Sequence, residues 1–455
     1  MREAAWWCLL LWAVCGDARQ TTHQPNIVFI ISDDQGFADV SWHDKEVVTP
    51  NLQKLLDGGV KLNYNYVQPL CTPTRSALMT GYYPYHLGRQ KGVITPTTPT
   101  GLTLSRTLLP EKLRDLGYRT HAIGKWHLGF CDWDYTPTYR GFDTFYGYYN
   151  GMEDYYTHTR QGGYDFKDNK LTSWEENGTY STFLFGDRAV KVIEEEAARS
   201  GPFFLYLPLQ SVHSPLQVPD EYLDYYPEGS NQVLLGMVTA MDDVVGKVVE
   251  ALHSTGQDDN TIIIFTSDNG SPNTGRNAPL KGYKGSLWEG GTRVPGLIYS
   301  PLLESTPREY NGLLHVTDWH NTLLAIAGSD ALTDGDGFSQ WDALRTGQAP
   351  SPRDSFIYNL DVDFDEPSGA IRVGNYKFFL GANTQDPKDW LSDLEEDPNE
   401  TTNLVQERPD IAAELKELLL AQLASLVPHD TPPNDNSGNS DNWGGIWEPG
   451  WCTAH

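Results

Sequence analysis

The chain has 455 residues, with 33 basic against 61 acidic side chains and a net charge of −28. That length suits two domains, and the charge excludes nucleic acid or an anionic membrane surface as a partner. Five cysteines exclude a disulfide-dense scaffold. An anionic substrate would need positive charge gathered locally.

An apolar run from Ala4 to Cys15, followed by the small residues Gly16 and Ala18, is too short to span a bilayer. It reads as a signal peptide over 1–18, with a weak basic start in which Glu3 offsets Arg2. No other apolar run is long enough to span. A secretory-pathway protein is expected, lysosomal or extracellular, with three cysteines left: Cys71, Cys131 and Cys452.

Four apolar, β-branched runs then recur, each followed by polar residues. Asn26 to Ile31 precedes Asp33-Asp34, and Arg119 to Ile123 precedes Gly124, Lys125 and His127. Phe203 to Leu207 precedes His213, and Thr261 to Thr266 precedes Asp268-Asn269-Gly270. Continuous apolar strands predict a parallel sheet covered on both faces. Helices are predicted between them, over Asn51–Asp57, Leu109–Leu116, Phe185–Ala198, Met237–Leu252 and Thr317–Ala327. Alternating strands and helices predict an α/β domain over 19–345, with ligands beyond the carboxyl ends of the strands. Past Arg345 the pattern changes. Strands over Ser355–Leu360 and Ala370–Leu380, the latter broken at Gly374-Asn375, and a helix over Pro409–Leu426 predict a smaller α+β domain with an antiparallel sheet, 346–427. The tail, 428–455, has no apolar period over Pro428 to Trp447; Trp443, Trp447 and Trp451 are expected to pin it.

Taken singly, the polar clusters are weak signals. Asp33-Asp34 can be solvated or cap a helix, and Asp268-Asn269-Gly270 reads equally as a turn. Together they offer four oxygen donors at two strand ends, which favours Ca²⁺ or Mg²⁺ over zinc. A lone Lys125, Lys284 or His213 reads as a surface charge or a loop histidine. Cys71 is a buried structural cysteine or a nucleophile. Pro73 fits the first turn of a helix, whose N–H groups over Thr74 to Met79 would face an anion near Cys71.

Cys71-Thr72-Pro73-Thr74-Arg75, with Thr80-Gly81 shortly after, resembles the modification signature of the type I sulfatases. The resemblance extends to Gly124-Lys125-Trp126-His127, to Gln210 through Pro215, and to Lys284 ahead of Ser286-Leu287-Trp288-Glu289-Gly290-Gly291. It implies an alkaline-phosphatase-like α/β domain and an enzyme that removes sulfate from a carbohydrate or aryl ester through a formylglycine sulfate-ester intermediate. It also implies oxidation of Cys71 to formylglycine by a formylglycine-generating enzyme. By the same resemblance Asp33, Asp34, Cys71, Asp268 and Asn269 hold Ca²⁺, with Mg²⁺ as the alternative. Arg75 and Lys125 hold the oxyanions, His127 is the base that releases sulfate, and His213 and Lys284 bind sulfate, one of them protonating the leaving oxygen.

Thr120-His121, Arg140 through Thr144, Glu153 through His158 and Gly445-Ile446-Trp447 resemble the arylsulfatase B, or N-acetylgalactosamine 4-sulfatase, group, which carries more cysteines than this chain. N-acetylgalactosamine 4-sulfate of glycosaminoglycans is therefore the finer substrate expectation. The aromatic stretch Tyr148 to Phe166 is open to two readings, sugar stacking or packing. Two other classes stand beside the enzyme: a non-catalytic secreted matrix protein on the same fold, and a phosphatase or phosphodiesterase. The latter would want Ser or Thr as nucleophile and a His-rich two-zinc set. Of three sequons, Asn177 and Asn399 are expected to carry glycans, and Asn269 is not, being a metal-ligand candidate. With Cys71 modified, Cys131 and Cys452 are the remaining pair for a disulfide, the alternative being two separate thiols.

Overall fold

The computed structural model describes residues 24–229, 231–329, 335–381 and 389–454. The signal peptide expected over 1–18 lies outside them. Five parallel strands form the centre: β1 (Asn26–Ser32), β2 (Arg119–Lys125), β3 (Thr144–Tyr148), β4 (Phe203–Pro208) and β5 (Thr261–Ser267), in the order β5-β1-β4-β2-β3. β1 shows why. Its side chains alternate between faces, and both faces are covered. Ile27, Phe29 and Ile31 pack with Ala77, Leu78, Leu109 and Trp319 on one side. Val28 and Ile30 pack with Phe185, Val244 and Leu52 on the other. A strand sandwiched in this way has no polar position to spare between its ends, so it is apolar from Ile27 to Ile31. Short antiparallel strands widen the sheet at both edges: Gly296–Tyr299 beside β5, and Lys167–Asp168 beside β3.

Five helices matter for the site and its support: α1 (Cys71–Thr80), α2 (Ser181–Ala197), α3 (Gln232–Ser254), α4 (Val316–Ile326) and α5 (Pro409–Ala421). α2 and α3 cover one face of the sheet, and α1 and α4 the other. The expected helix to Leu426 ends early at Ala421 and tightens into a 3₁₀ turn, Gln422–Ser425.

The second sheet is antiparallel: β6 (Ser355–Asp363), β7 (Glu366–Val373), β8 (Tyr376–Leu380) and β9 (Trp390–Asp393). The expected strand Ala370–Leu380 is two strands, because Gly374 has a φ of 56° and turns the chain between β7 and β8. Ala412, Leu415 and Leu419 of α5 pack on this sheet. A buried polar knot joins it to the large sheet. Glu289 accepts from Tyr66 Oη (2.7 Å), Tyr358 Oη (3.0 Å) and Lys377 Nζ (3.0 Å), while its backbone N–H donates to Glu400 (2.7 Å).

The tail docks more firmly than its composition suggests, through two short 3₁₀ turns, Asn436–Gly438 and Ser440–Trp443. Of the three tryptophans expected to pin it, Trp447 alone is buried, at 2 % exposure, and Phe130 meets its ring edge-on. Trp443 and Trp451 stay partly exposed. Asp430 pairs with Arg89 (2.7 Å), and Cys452 is disulfide-bonded to Cys131 across 321 residues. A loop of that size constrains the unfolded chain by at most on the order of 5 kcal/mol in entropy models. Cys452→Ser should lower the thermal midpoint by several degrees and open the chain after Val427 to limited proteolysis. An unchanged midpoint and cleavage pattern would show that the non-covalent anchors, Trp447, Asp430 and Glu448 on Lys167, hold the tail without the disulfide.

Candidate active site

The carboxyl ends of β1, β5, β2 and β4 meet over the first turn of α1. Cys71 is the first residue of that helix and is 2 % exposed. Asp33 and Asp34 follow β1 directly, and Asp268 and Asn269 follow β5. The strands are paired in register at Ser32 and Ser267, so the two acidic segments emerge side by side. Donor atoms of Asp33, Asp34, Cys71 and Asp268 all lie within 4.8 Å of one another.

The cations come from elsewhere in the chain. Lys125, the last residue of β2, pairs with Asp33. Arg75, one turn along α1, holds Asp268 Oδ2 through Nη2 (2.8 Å) and Nε (3.1 Å) and gives Nη1 to the Lys125 carbonyl (3.2 Å). Lys284 Nζ meets Asp34 Oδ1 at 2.5 Å, and His213 Nε2 faces Asp34 Oδ2 at 3.7 Å. The site therefore gathers the local positive charge that an acidic protein needs to receive an anion. Burial alone would raise the Asp33 carboxyl, but Lys125 and His213 outweigh it and hold Asp33 below the usual range. Burial, helped by Asp268 and Asp33, pushes the Cys71 thiol up to about 12.

His127 has a defined tautomer. Its Nε2 lies 3.0 Å from the Ile94 carbonyl, which can only accept, so Nε2 carries the proton. Nδ1 is left with a lone pair, buried and without a partner. Burial, then Lys125 and Arg75, hold the imidazole well below its ordinary pKa, in the neutral form. Both His127 and Asp34 have left-handed backbones, φ 57° and 62°. Such residues cluster where a site overrides local preference. Gly151 is required beside His127, since a Cβ there would sit 2.5 Å from the ring's Cε1.

The residues present fit a hard divalent cation. Asn269 is fully buried; its Nδ2 donates to Asp34 Oδ1 (2.7 Å), yet its Oδ1 has no hydrogen-bond partner. An orphaned buried carbonyl costs about 1–3 kcal/mol, and this one stands beside three carboxylates. Four hard oxygens with no histidine among them suit Ca²⁺ or Mg²⁺. A second group, Asp361, Asp363 and His429, is also close enough to share an ion, but Lys91 already pairs with Asp363.

The structure thus brings together all ten candidate catalytic and metal residues. One local expectation is corrected. The N–H of Thr74 bonds to the Leu70 carbonyl (3.1 Å), because the helical ladder begins there. An anion at Cys71 meets only the first-turn donors ahead of it, and Pro73 has none. The aromatic stretch resolves toward packing, with Tyr148, Tyr149, Tyr155, Tyr164 and Phe166 all buried. Of the sequons, Asn177 is exposed and Asn399 half-buried.

Sequence reasoning missed Asp39, which closes the loop after Asp34: its Oδ2 accepts from Gly36 N–H (2.9 Å) and its carbonyl from Gln35 Nε2 (2.7 Å). Burial raises its carboxyl from 3.8 to about 7. The folded protein therefore holds a proton that the unfolded chain releases near pH 4. The stability this contributes is complete at low pH and is lost as the pH rises to 7. Asp39→Asn should gain on the wild type by about 2 to 3 kcal/mol between pH 5 and 8, read by urea unfolding at both pH values. A constant difference would mean that Asp39 ionises normally in the fold.

Residues 25–329 match the family model described as Sulfatase. The chain is 37% identical to mouse (Mus musculus) arylsulfatase J, over 94% of this chain and 80% of that protein. It is 30% identical to mouse N-acetylgalactosamine-6-sulfatase, over 78% of this chain and 72% of that one. Among solved structures, that of Ps i-CgsB in complex with k-i-k-neocarrahexaose superposes with a TM-score of 0.84 at 29% identity, covering 92% of this chain and 97% of that one.

Proposed function

This chain belongs to the sulfatase family and hydrolyses sulfate esters, and from that premise we propose that Cys71, oxidised to formylglycine, is its working nucleophile. The observation that carries the reading is the placement of Cys71, the first residue of α1, buried among three carboxylates, Asn269 and four basic side chains. A hydrated formylglycine supplies two hydroxyls on one carbon, one to attack sulfur and one to expel sulfate. Asp33, Asp34, Asp268 and Asn269 would hold Ca²⁺, or Mg²⁺, which supplies Lewis-acid polarisation of the sulfate.

The chain's own groups do the rest. Arg75 and Lys125 are fully buried and fixed by short contacts, so they meet the oxyanions already oriented. His127 accepts a proton at Nδ1, the nitrogen its bond to Ile94 leaves free, and so releases sulfate. His213 and Lys284 bind the sulfate from the open side, and one of them protonates the leaving oxygen.

The substrate class we favour is a sulfated carbohydrate with N-acetylgalactosamine 4-sulfate chemistry. The 4-position is supported by the stretches around Arg140–Thr144 and Glu153–His158, and the sugar by relatives named N-acetylgalactosamine-6-sulfatase, which differ in the sulfate position. We read 19–345 as the catalytic domain, 346–427 as its α+β partner and 428–455 as a tail. We further read the chain as a secretory-pathway protein, lysosomal or extracellular, glycosylated at Asn177 and Asn399 and modified at Cys71 by a formylglycine-generating enzyme. The bonded pair Cys131 and Cys452 supports an oxidising compartment. Among the described residues no helix is long and apolar enough to cross a membrane.

Protein from secretory-pathway expression should hydrolyse an aryl sulfate in strong preference to the aryl phosphate. Its Cys71 peptide should carry the aldehyde or its hydrate by mass spectrometry. Full activity with only the unmodified thiol would overturn the mechanism, and preference for phosphate would overturn the substrate class.

A further inference from the structure

A cleft of about 590 Å³ opens beside the site. Three of its walls are chain neighbours of the chemistry. Pro69 and Leu70 lead into Cys71, and Gly285 follows Lys284. Lys91 and Gly92 lead into Ile94, whose carbonyl fixes His127. Gly285 N–H bonds to the Pro69 carbonyl at 2.8 Å, so two of these walls are tied together. None of the catalytic side chains lines the cleft, so it is free to hold a group next to the sulfated one.

The fourth wall is the tip of the β6–β7 hairpin, and its sequence is unusual. Phe364 and Asp365 form the turn with φ of 52° and 65°. Asn and Gly are the residues that suit both positions, and a bulky side chain there is a conformational outlier. Phe364 is also fully exposed, at 101 %. An aromatic ring held in water on a backbone that disfavours it gains nothing from the fold. It presents a flat apolar face at the mouth of the cleft. Around it the charge is acidic. Asp361, Asp363 and Glu366 line the cleft, and its one lysine, Lys91, is already paired with Asp363.

We propose that this cleft is the subsite for the sugar next to the sulfated one, and that it takes a neutral ring and rejects a uronate or a second sulfated ring. The proposal rests on the sulfatase reading but departs from the expected glycosaminoglycan context, in which N-acetylgalactosamine 4-sulfate sits beside a uronate. A neutral ring lays its C–H face on Phe364 and donates hydroxyls to the carboxylates, which can only accept. A carboxylate or sulfate on that ring meets like charge at short range, in a protein of net charge −28. The preferred polymer is therefore sparsely charged, with its sulfated residues flanked by neutral hexoses.

The experiment uses full-length enzyme with oxidised Cys71 and reads competitive inhibition of aryl sulfate hydrolysis. The inhibitors are the monosaccharide N-acetylgalactosamine sulfate, its disaccharide with a hexuronate, and that disaccharide with the carboxylate reduced to a primary alcohol, each as 4- and 6-sulfate. The reduced disaccharide should bind about ten-fold more tightly than the uronate, and the gap should shrink in high salt. Phe364→Ala should weaken the reduced disaccharide about five-fold relative to the monosaccharide. That ratio cancels any general change at the sulfate site, and the exposed ring carries no packing that would unfold the variant. Equal or tighter binding of the uronate, no gain of the reduced disaccharide over the monosaccharide, or a ratio unmoved by Phe364→Ala would each overturn the subsite. Failure of the oxidised enzyme to hydrolyse the aryl sulfate at all would instead overturn the activity on which it rests.

Discussion

Cys71→Ser should release no more than one equivalent of phenol from an aryl sulfate and then stop, with steady turnover reduced by on the order of 10³-fold or more. The side chain is buried and serine is nearly its shape, so the fold should survive with a small change in thermal midpoint. The difference is chemical. A serine hydroxyl beside Lys125, Arg75 and the carboxylates can take sulfate once, but it has no second hydroxyl with which to expel it. Intact-mass analysis after the burst should find the protein heavier by one sulfo group, SO3, the phenol having left with its own oxygen. Sustained turnover by the serine variant at the wild-type rate would remove Cys71 from the reaction.

The second large effect is expected at Asp268. Arg75 and Asp268 have no exposed surface, and the guanidinium holds one carboxylate oxygen by two contacts of 2.8 and 3.1 Å. Asp268→Ala leaves Arg75 with only Asp33, at 3.8 Å, as a counter-charge. Breaking a buried pair on one side costs about 3–5 kcal/mol. The same substitution removes one of the oxygens proposed to hold the cation, so two readouts should move together. Urea unfolding should show the destabilisation in chelator alone, and added Ca²⁺ should stabilise the wild type but not the variant. A variant that is destabilised yet still gains from Ca²⁺ would keep Asp268 as Arg75's partner and drop it as a ligand.

The strands that carry the site were legible because burial on both faces leaves no choice of residue. The ends of β1 and β5 were read to within a residue, and the polar residues beyond them were the site. Lys125 was read as following its strand and is its last residue. β3 escaped because its TFYGY run holds only one β-branched residue and a glycine; its pairing with β2 is what makes it a strand. The edge strands of two to four residues are too short to show any period. In the site, the Ile94 carbonyl that sets the His127 tautomer is a backbone group and leaves no trace in residue type. Gly151 needs its neighbour's ring in place before its lack of a side chain means anything. The tail's tryptophans and its cysteine were legible as anchors, but the ion pairs of Asp430 with Arg89 and of Glu448 with Lys167 make no pattern along the chain.

The burial of Cys71 also sets an order in time. Every residue of α1 is buried, and the chain on either side is held by the sheet beneath and the Lys284 loop above. No second protein can reach that sulfur once the domain has closed, so the oxidation proposed for Cys71 would belong to the nascent, still-extended chain. Cys71 leaves the ribosome long before β5 and its Asp268, without which the pocket cannot form. Folding is thus the deadline for maturation. A molecule that folds first would keep Cys71 as a thiol, out of reach of the proposed modifying enzyme until it unfolds.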